Sequence, residues 1–490
     1  MAGTARRRRR RVLPGRRPST AAMVALLFLT AACGGGTGDR DGAGGAAEPG
    51  GTRTAPSVTA QPGTPGQPGS PGGGTPGVLG PDDWPTYHRD NSRRGVAAHA
   101  APRSALSVSW SAKLDGAVYG QPLVVGDRVY AATENNTVFA LDPATGRQAW
   151  AAHLGTPVPL DDLPCGNIDP LGITGTMVYD PATRRLFAVA ETTGGRHTLY
   201  GLDARTGRVA LQVPVEPPRG VHIAHQQRGA LTLWNGRVYV PYGGLAGDCG
   251  QYVGAVVSAP ADAAGPVRSY AIPTPKEGGI WAPSGGVVDG DRLLYAVGNG
   301  AATTFYDGSD SIIALTADLV RTDFFAPSTW TLDNQSNVDL GSMSPVLVGG
   351  YVYANGKRGV GYLLRRDELG HIGGELSRVE SCRALGGSAV DGDTVYLPCA
   401  DSPMAVRVGA GRMSRVWKAP VRAAGSPVVG GGAVWVVDYD GGVLYALNPR
   451  TGAVLDQVRI GTAPHFASPT LSGRHAYVGT MDGVVAVAGA

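Results

Sequence analysis

Long apolar runs are missing from this chain. No stretch reaches the ~18 consecutive apolar residues of a membrane-spanning helix, which excludes a polytopic membrane protein. Heptads do not run on and helical periodicity is essentially absent, so a coiled coil is excluded too. Gly-x-Ser-x-Gly, His-Glu-x-x-His and P-loop patterns do not occur, so serine hydrolase, zinc protease and nucleotide hydrolase chemistry has no support. Basic runs are confined to the first residues. Arg6 to Arg11 with Arg16 and Arg17 put eight positive charges before residue 33; the remaining 35 bases face 39 acids, so the formal +4 becomes −4. Without a basic face the chain lacks the electrostatics of nucleic-acid binding. Lysine is scarce, four residues against 39 arginines. Glycine and proline are plentiful, 75 and 37 residues, but much of the excess lies in one early segment and no collagen repeat accompanies it.

The first residues read as an export signal. Arg6 to Arg17 form a basic region, and Ala21 to Ala32 form a 12-residue apolar stretch too short to cross a bilayer. It ends Leu29-Thr30-Ala31-Ala32-Cys33-Gly34, which resembles a bacterial lipobox with Thr30 in place of the usual leucine. The resemblance implies cleavage before Cys33 and lipidation of its sulfur, a firm membrane anchor once two chains are attached. Ordinary signal cleavage is the alternative, and the paired arginines also suit twin-arginine export. Residues 34–80 are Gly, Pro, Thr, Ser and Ala with almost no large apolar side chain. Such a composition cannot bury enough surface to offset ordering, and it reads as a tether. The expected organisation is a signal peptide at 1–32, a lipidated cysteine and tether at 33–83, and one domain at 84–490. The protein is then exported and held on a membrane, at the cell surface or in a periplasm. It is expected as a monomer, with an envelope protein or polymer as partner and no nucleic acid.

From residue 106 one unit recurs: a strand, a Gly/Asp turn, a strand carrying an aromatic, then another strand and turn. The aromatics are Tyr130, Phe187, Tyr239, Tyr295, Tyr353, Tyr396, Trp435 and Tyr477, spaced by 57, 52, 56, 58, 43, 39 and 42 residues. Apolar runs of four to seven residues split by Gly, Asp and Asn read as antiparallel strands. Eight units of four strands predict an all-β, eight-bladed β-propeller. The last unit stops one strand early, and Leu106–Leu114 supplies that strand from the other end of the domain. In such a ring Cys165, Cys249, Cys382 and Cys399 fall in loops of one face. Export favours disulfides, and the spacing predicts Cys382–Cys399 and Cys165–Cys249. No Cys-x-x-Cys accompanies them, which argues against a metal site.

The turn Ala140-Leu-Asp142-x-x-Thr145-Gly146-x-x-x-Trp150 resembles the repeat of pyrroloquinoline quinone (PQQ) propellers, and Asp83-Trp84-Pro85-Thr86-Tyr87-His88 resembles the start of many such chains. WD40 and kelch signatures are absent. The resemblance covers residues 84–490. Its superfamily holds quinoprotein dehydrogenases and also non-catalytic lipoproteins of the outer-membrane assembly type. Gly278-Gly279-Ile280-Trp281 is similar to the segment that lays a Trp under the PQQ ring. Gly298-Asn299-Gly300 resembles a calcium-binding Gly-Asn-Pro, with Gly for Pro. Asn337-Val338-Asp339 resembles the stretch carrying the catalytic Asp, which would also face calcium. Lys357 matches a position where Arg or Lys contacts the quinone. The implied chemistry has calcium and a cation polarising the quinone while an Asp base takes the alcohol proton.

The sequence also departs from that pattern. A neighbouring-cysteine pair, the calcium Glu and a cytochrome Cys-x-x-Cys-His are all missing; the calcium Glu's region reads Asp248-Cys249-Gly250. Each candidate has an ordinary counterpart. Trp281 suits packing between blades, Asn299 a turn, Asp310 and Asp339 turn caps or solvated acids, and Lys357 a loop charge. His225 and His465 begin inner strands; with Asp310 they are candidates for the channel mouth or for plain structural hydrogen bonds. The reading favoured is an exported binding or scaffold protein with an open, water-filled channel. A PQQ- and calcium-dependent alcohol dehydrogenase is the alternative, and it needs Trp281, Asn299, Asp339 and Lys357 around one cavity.

Overall fold

Strand-forming runs separated by tight turns pair in sequence order into eight antiparallel sheets. The computed structural model describes residues 78–97, 105–422 and 425–489. The signal peptide, Cys33 and the tether up to residue 77 lie outside the described residues. Blade 1 shows the pattern: Leu123–Val125, Arg128–Ala132, Thr137–Leu141 and Gln148–His153. Every residue of Thr137–Leu141 is buried, while Gln148–His153 is mostly exposed. A strand sandwiched between two neighbouring blades is covered on both faces and can be apolar throughout; the rim strand cannot. All eight aromatics of the repeat are buried, one in the second strand of each blade. The apolar clusters accordingly lie between blades. One of them joins Leu123, Tyr130 and Val138 of blade 1 to Leu186, Ala188 and Leu202 of blade 2.

The ring closes as expected. Ser107–Lys113 pairs antiparallel with Gly483–Ala488, so blade 8 takes its outer strand from the N-terminal side. A departure from the sequence reading is the helix Trp330–Ser336, inserted between blades 4 and 5 and ended by Asn337 in the left-handed conformation. A helix of seven residues is too short to leave a periodic signature.

The Thr-Gly turn has a direct packing reason. Trp150, on the rim strand of blade 1, reaches blade 2 and donates its indole N–H to Ala204 O at 3.1 Å. Its ring lies on Gly207, where a Cβ would stand 2.5 Å from Cε3. Trp110 on Gly146 and Trp417 on Gly452 repeat the contact. The motif therefore holds both halves of a joint: a glycine to receive one indole and a tryptophan to reach the next blade. Gly207→Ala is expected to destabilise by about 2–4 kcal/mol, combining positive φ with overpacking. Gly126→Ala, also at positive φ but in open space, should lose only the smaller backbone part. Equal losses in denaturant unfolding would show that the indole contact contributes nothing.

The channel is not open. Residues 84–97 run across its lower end, beside the first strands of the blades. Trp84 bridges Val124 of blade 1, and Tyr179 N of blade 2 donates to Pro85 O. Asn91 joins Leu233 of blade 3 and Val288 of blade 4. Val390 N of blade 6 donates to Arg94 O, and Gly95 and Ala97 pair with Val429 of blade 7. His88 is fully buried, with Nε2 3.0 Å from Ser468 Oγ beside blade 8. This segment is a plug, and it leaves a blind pit reached from the opposite face.

Candidate functional site

Loops between blades, and loops between the second and third strands within a blade, emerge on that opposite face. Together they line a cavity of about 280 Å³. Trp281 enters it from the loop before blade 4, Lys357 from the second-to-third-strand loop of blade 5, and Arg228 from the segment before blade 3. His465 and Phe466 come from the loop between blades 7 and 8, and Tyr119 from the one before blade 1.

The walls pair cations with aromatic faces. Lys357 Nζ lies 5.3 Å from the Trp281 ring centroid. The Arg228 guanidinium lies 5.3 Å from that of Phe466 and 5.6 Å from that of Tyr119. Trp281 and Phe466 are neighbours, centroids 6.4 Å apart and tilted by 37°, so the aromatic surface is continuous. Phe466 adopts φ +69°, a strained backbone for an aromatic residue. It is held there by Ser426 Oγ, which donates to Phe466 O, and by Arg228, which donates to His465 O at 2.9 Å. Burial lowers the pKa of Arg228, with Glu134, Tyr119 and Tyr87 opposing the shift. Buried Glu134 is itself pushed up to about 7, chiefly by desolvation.

Below the wall lies a set of carboxylates. Asp339 is fully buried, with Oδ1 accepting from Gly341 N at 2.8 Å and Oδ2 from Lys357 Nζ at 2.9 Å. Asn337 Oδ1 accepts a second bond from Lys357 at 2.5 Å. Gly298 is the cradle between these groups; a Cβ there would sit 3.4 Å from both Asp339 Oδ1 and Trp281 Nε1. Asn299, the next residue, turns its amide nitrogen to Glu277 Oε2 at 3.2 Å, and Glu277 Oε1 pairs with Lys276 Nζ at 3.1 Å.

The geometry thus brings Trp281, Lys357 and Asp339 together and sets Asn299 at their edge. Two channel-mouth candidates need correction. Asp310 is fully buried and outside the cavity; desolvation, then the Asp333 and Asp339 carboxylates, push it far above the usual carboxylate range. His225 is buried as well, and its ring nitrogens lie 2.9 Å from Val221 O and 3.2 Å from Val253 O. Burial lowers it to about 4, so it is a neutral structural residue. Arg228, Phe466, Lys276 and Glu277 escape the sequence reading although they flank residues it singles out.

The two disulfides pair as expected, Cys165–Cys249 and Cys382–Cys399. The first ties together one side of the cavity: Asn167 and Ile168 line it from the first loop, Gly247 and Asp248 from the second.

A sequence profile described as outer membrane protein assembly factor BamB matches residues 93–244 and 368–489. The chain belongs to this family of PQQ-like propellers. The unmatched stretch of this BamB-family chain carries Trp281, Asp339 and Lys357. Polyvinylalcohol dehydrogenase of Sphingopyxis sp. (strain 113P3) is 28% identical over 268 residues, 48% of this chain and 37% of that protein. The chain therefore spans less than two-fifths of that relative's length. Among solved structures, quinohemoprotein alcohol dehydrogenase from Comamonas testosteroni superposes with a TM-score of 0.61 at 16% identity, covering 83% of this chain and 80% of that one. BamB from Moraxella catarrhalis gives 0.57 at 18%, covering 78% and 99%. These two likenesses carry the fold alone.

The PQQ and calcium implied by the dehydrogenase side of the fold fit unequally. Aromatic faces and two cations suit a planar anion. The calcium donors do not fit. Each Asp339 oxygen already accepts a hydrogen bond, one of them from an ammonium, and the Asn299 amide presents nitrogen rather than oxygen to its carboxylate neighbour. Among the described residues no group of three or more His, Cys, Asp and Glu side chains is arranged to hold a metal ion.

Proposed function

We propose that this chain is an exported, lipid-anchored binding propeller of the cell envelope, which takes a planar anionic ligand into the blind pit and carries out no calcium-dependent oxidation there. The observation behind this reading is the state of Asp339. A general base must reach the proton it takes; here each Asp339 oxygen already accepts one hydrogen bond, from Gly341 N and from the Lys357 ammonium, so proton uptake competes with an ion pair. The export-like N-terminus and the two disulfides support an oxidising compartment. The plug favours a small ligand over a threaded polymer. A quinoprotein-type, PQQ- and calcium-dependent alcohol dehydrogenase is the second reading. It is favoured by the meeting of Trp281, Lys357 and Asp339 and by the polyvinylalcohol dehydrogenase relative.

Thermal unfolding of the purified chain with PQQ, in calcium or in EDTA, separates the two. A ligand present at a hundred times its dissociation constant stabilises by about 2.7 kcal/mol. The binding reading expects the same shift with and without calcium, reduced in Arg228→Ala, with no alcohol-dependent dye reduction. A shift that needs calcium, disappears in Asp339→Asn and comes with dye reduction establishes the dehydrogenase. No shift in either buffer removes PQQ as the ligand.

A further inference from the structure

Only four lysines occur in 490 residues, and two of them stand on the carboxylates around Asn299. Lys357 Nζ is 2.9 Å from Asp339 Oδ2, and Lys276 Nζ is 3.1 Å from Glu277 Oε1. The two acids belong to one neighbourhood. Asn299 donates to Glu277, its neighbour Gly298 abuts Asp339 Oδ1, and Tyr252 feels the charge of both acids. A carboxylate only accepts hydrogen bonds, so the Asn299 amide must face Glu277 with its nitrogen. A cation shared by Asn299 and Glu277 would take the place of this N–H donor between them. The third nearby acid is engaged too: Asp248 Oδ1 accepts from the Tyr252 hydroxyl at 2.6 Å. Each of the three acids that a hard cation would use thus faces an ammonium, an N–H or an O–H.

We propose that this propeller is built to work without a divalent cation, with Lys357 and Lys276 as internal counter-ions occupying the positions from which Asp339 and Glu277 would ligate one. The inference concerns the carboxylates behind the cavity wall, which Lys357 and Asp248 join to the cavity itself, and it does not depend on which ligand the cavity takes. The two ammoniums offset Asp339 and Glu277 and leave Asp248 as the one acid of the three without a cation. A divalent ion ligated by Asp339 and Glu277 must either displace a lysine or sit beside its charge.

Terbium luminescence sensitised by Trp281, with no organic ligand present, tests this directly. The full chain should give no saturable signal at micromolar terbium, and the purified protein should contain less than a tenth of an equivalent of calcium. Lys276→Met/Lys357→Met keeps the side-chain stems and removes the charges. It should gain a saturable signal that calcium competes away and that Glu277→Gln, added to it, lowers at least tenfold in affinity. A wild-type signal that saturates and is lost in Asp339→Asn overturns the proposal. A double variant that folds, by its melting curve, yet gains no signal overturns it equally, because the lysines are then not what excludes the ion. The PQQ melting experiment can fail without touching either result.

Discussion

Arg93→Ala is expected to destabilise the fold by about 3–5 kcal/mol. Arg93 is the pin of the plug, only 1% exposed and without an ion-pair partner at bonding distance among the described residues. All five of its N–H donors are used. Nε donates to Gly286 O at 3.1 Å, Nη1 to Thr86 Oγ1 at 2.6 Å and Tyr87 O at 2.9 Å, and Nη2 to Leu231 O at 3.0 Å and Thr232 Oγ1 at 2.8 Å. One planar fork thereby joins the plug to blade 3 and to the start of blade 4. Burying a lone charge is costly, and desolvation accordingly lowers this guanidinium to about 10. That cost is already met in the native state. Alanine recovers it but strands Tyr87 O, Leu231 O and Thr86 Oγ1, each at about 1–3 kcal/mol where water cannot enter, while Thr232 Oγ1 keeps its own bond to Gly286 O at 3.1 Å, so loss outweighs recovery. A lysine in place of the arginine offers three donors from a point and cannot span the same acceptors, so Arg93→Lys should still lose about 2 kcal/mol. Denaturant unfolding measures both. A loss under about 1 kcal/mol in Arg93→Ala would mean that the plug is held by its backbone pairings and by the burial of Trp84 and Tyr87, without the fork.

The plug also marks where sequence reasoning stops. Strand number, ring closure and disulfide pairing are legible because each is written as a repeat or as a departure from one. The eight aromatics keep their place in eight second strands, and Leu106–Leu114 fills the gap the last unit leaves. Asp83 to His88 occurs once, with no period and no capping pattern. Its role depends on acceptors far along the chain, such as Gln121 and Ser468. The site shows the same division. Trp281, Asp339 and Lys357 are found through short motifs. Phe466 is not, because its place in the wall depends on a left-handed backbone fixed by Ser426 and Arg228 from other blades. His225 reads from the sequence as a channel residue, yet its ring is turned into the protein, toward backbone carbonyls. The side chain that reaches the cavity is Arg228, further along the same segment.

Breaking Cys165–Cys249 with paired serines is expected to cost about 3–4.5 kcal/mol, more than breaking Cys382–Cys399. The first bridge closes a loop of 84 residues and the second one of 17. Loop-closure entropy grows with the logarithm of that length, which gives upper values of about 4.5 and 3 kcal/mol. The longer bridge also joins two loops that line the cavity, which the shorter one does not. The loops it joins pack over a small buried cluster of Val158, Leu163, Ile168, Leu171 and Leu245, separate from the clusters between blades. That cluster is enough to keep the loops near their places, so Cys165→Ser/Cys249→Ser should fold. It is too small to fix Asn167 and Gly247 against each other at the cavity wall. The double variant should therefore lose stability and also bind PQQ several-fold more weakly, whereas Cys382→Ser/Cys399→Ser should lose stability alone. Denaturant unfolding and PQQ titration of both variants settle the matter. If the 17-residue bridge proves the costlier, entropy is not what these disulfides contribute. If PQQ binds both variants as well as the parent, the wall is held by the apolar cluster and the bridge serves only the fold.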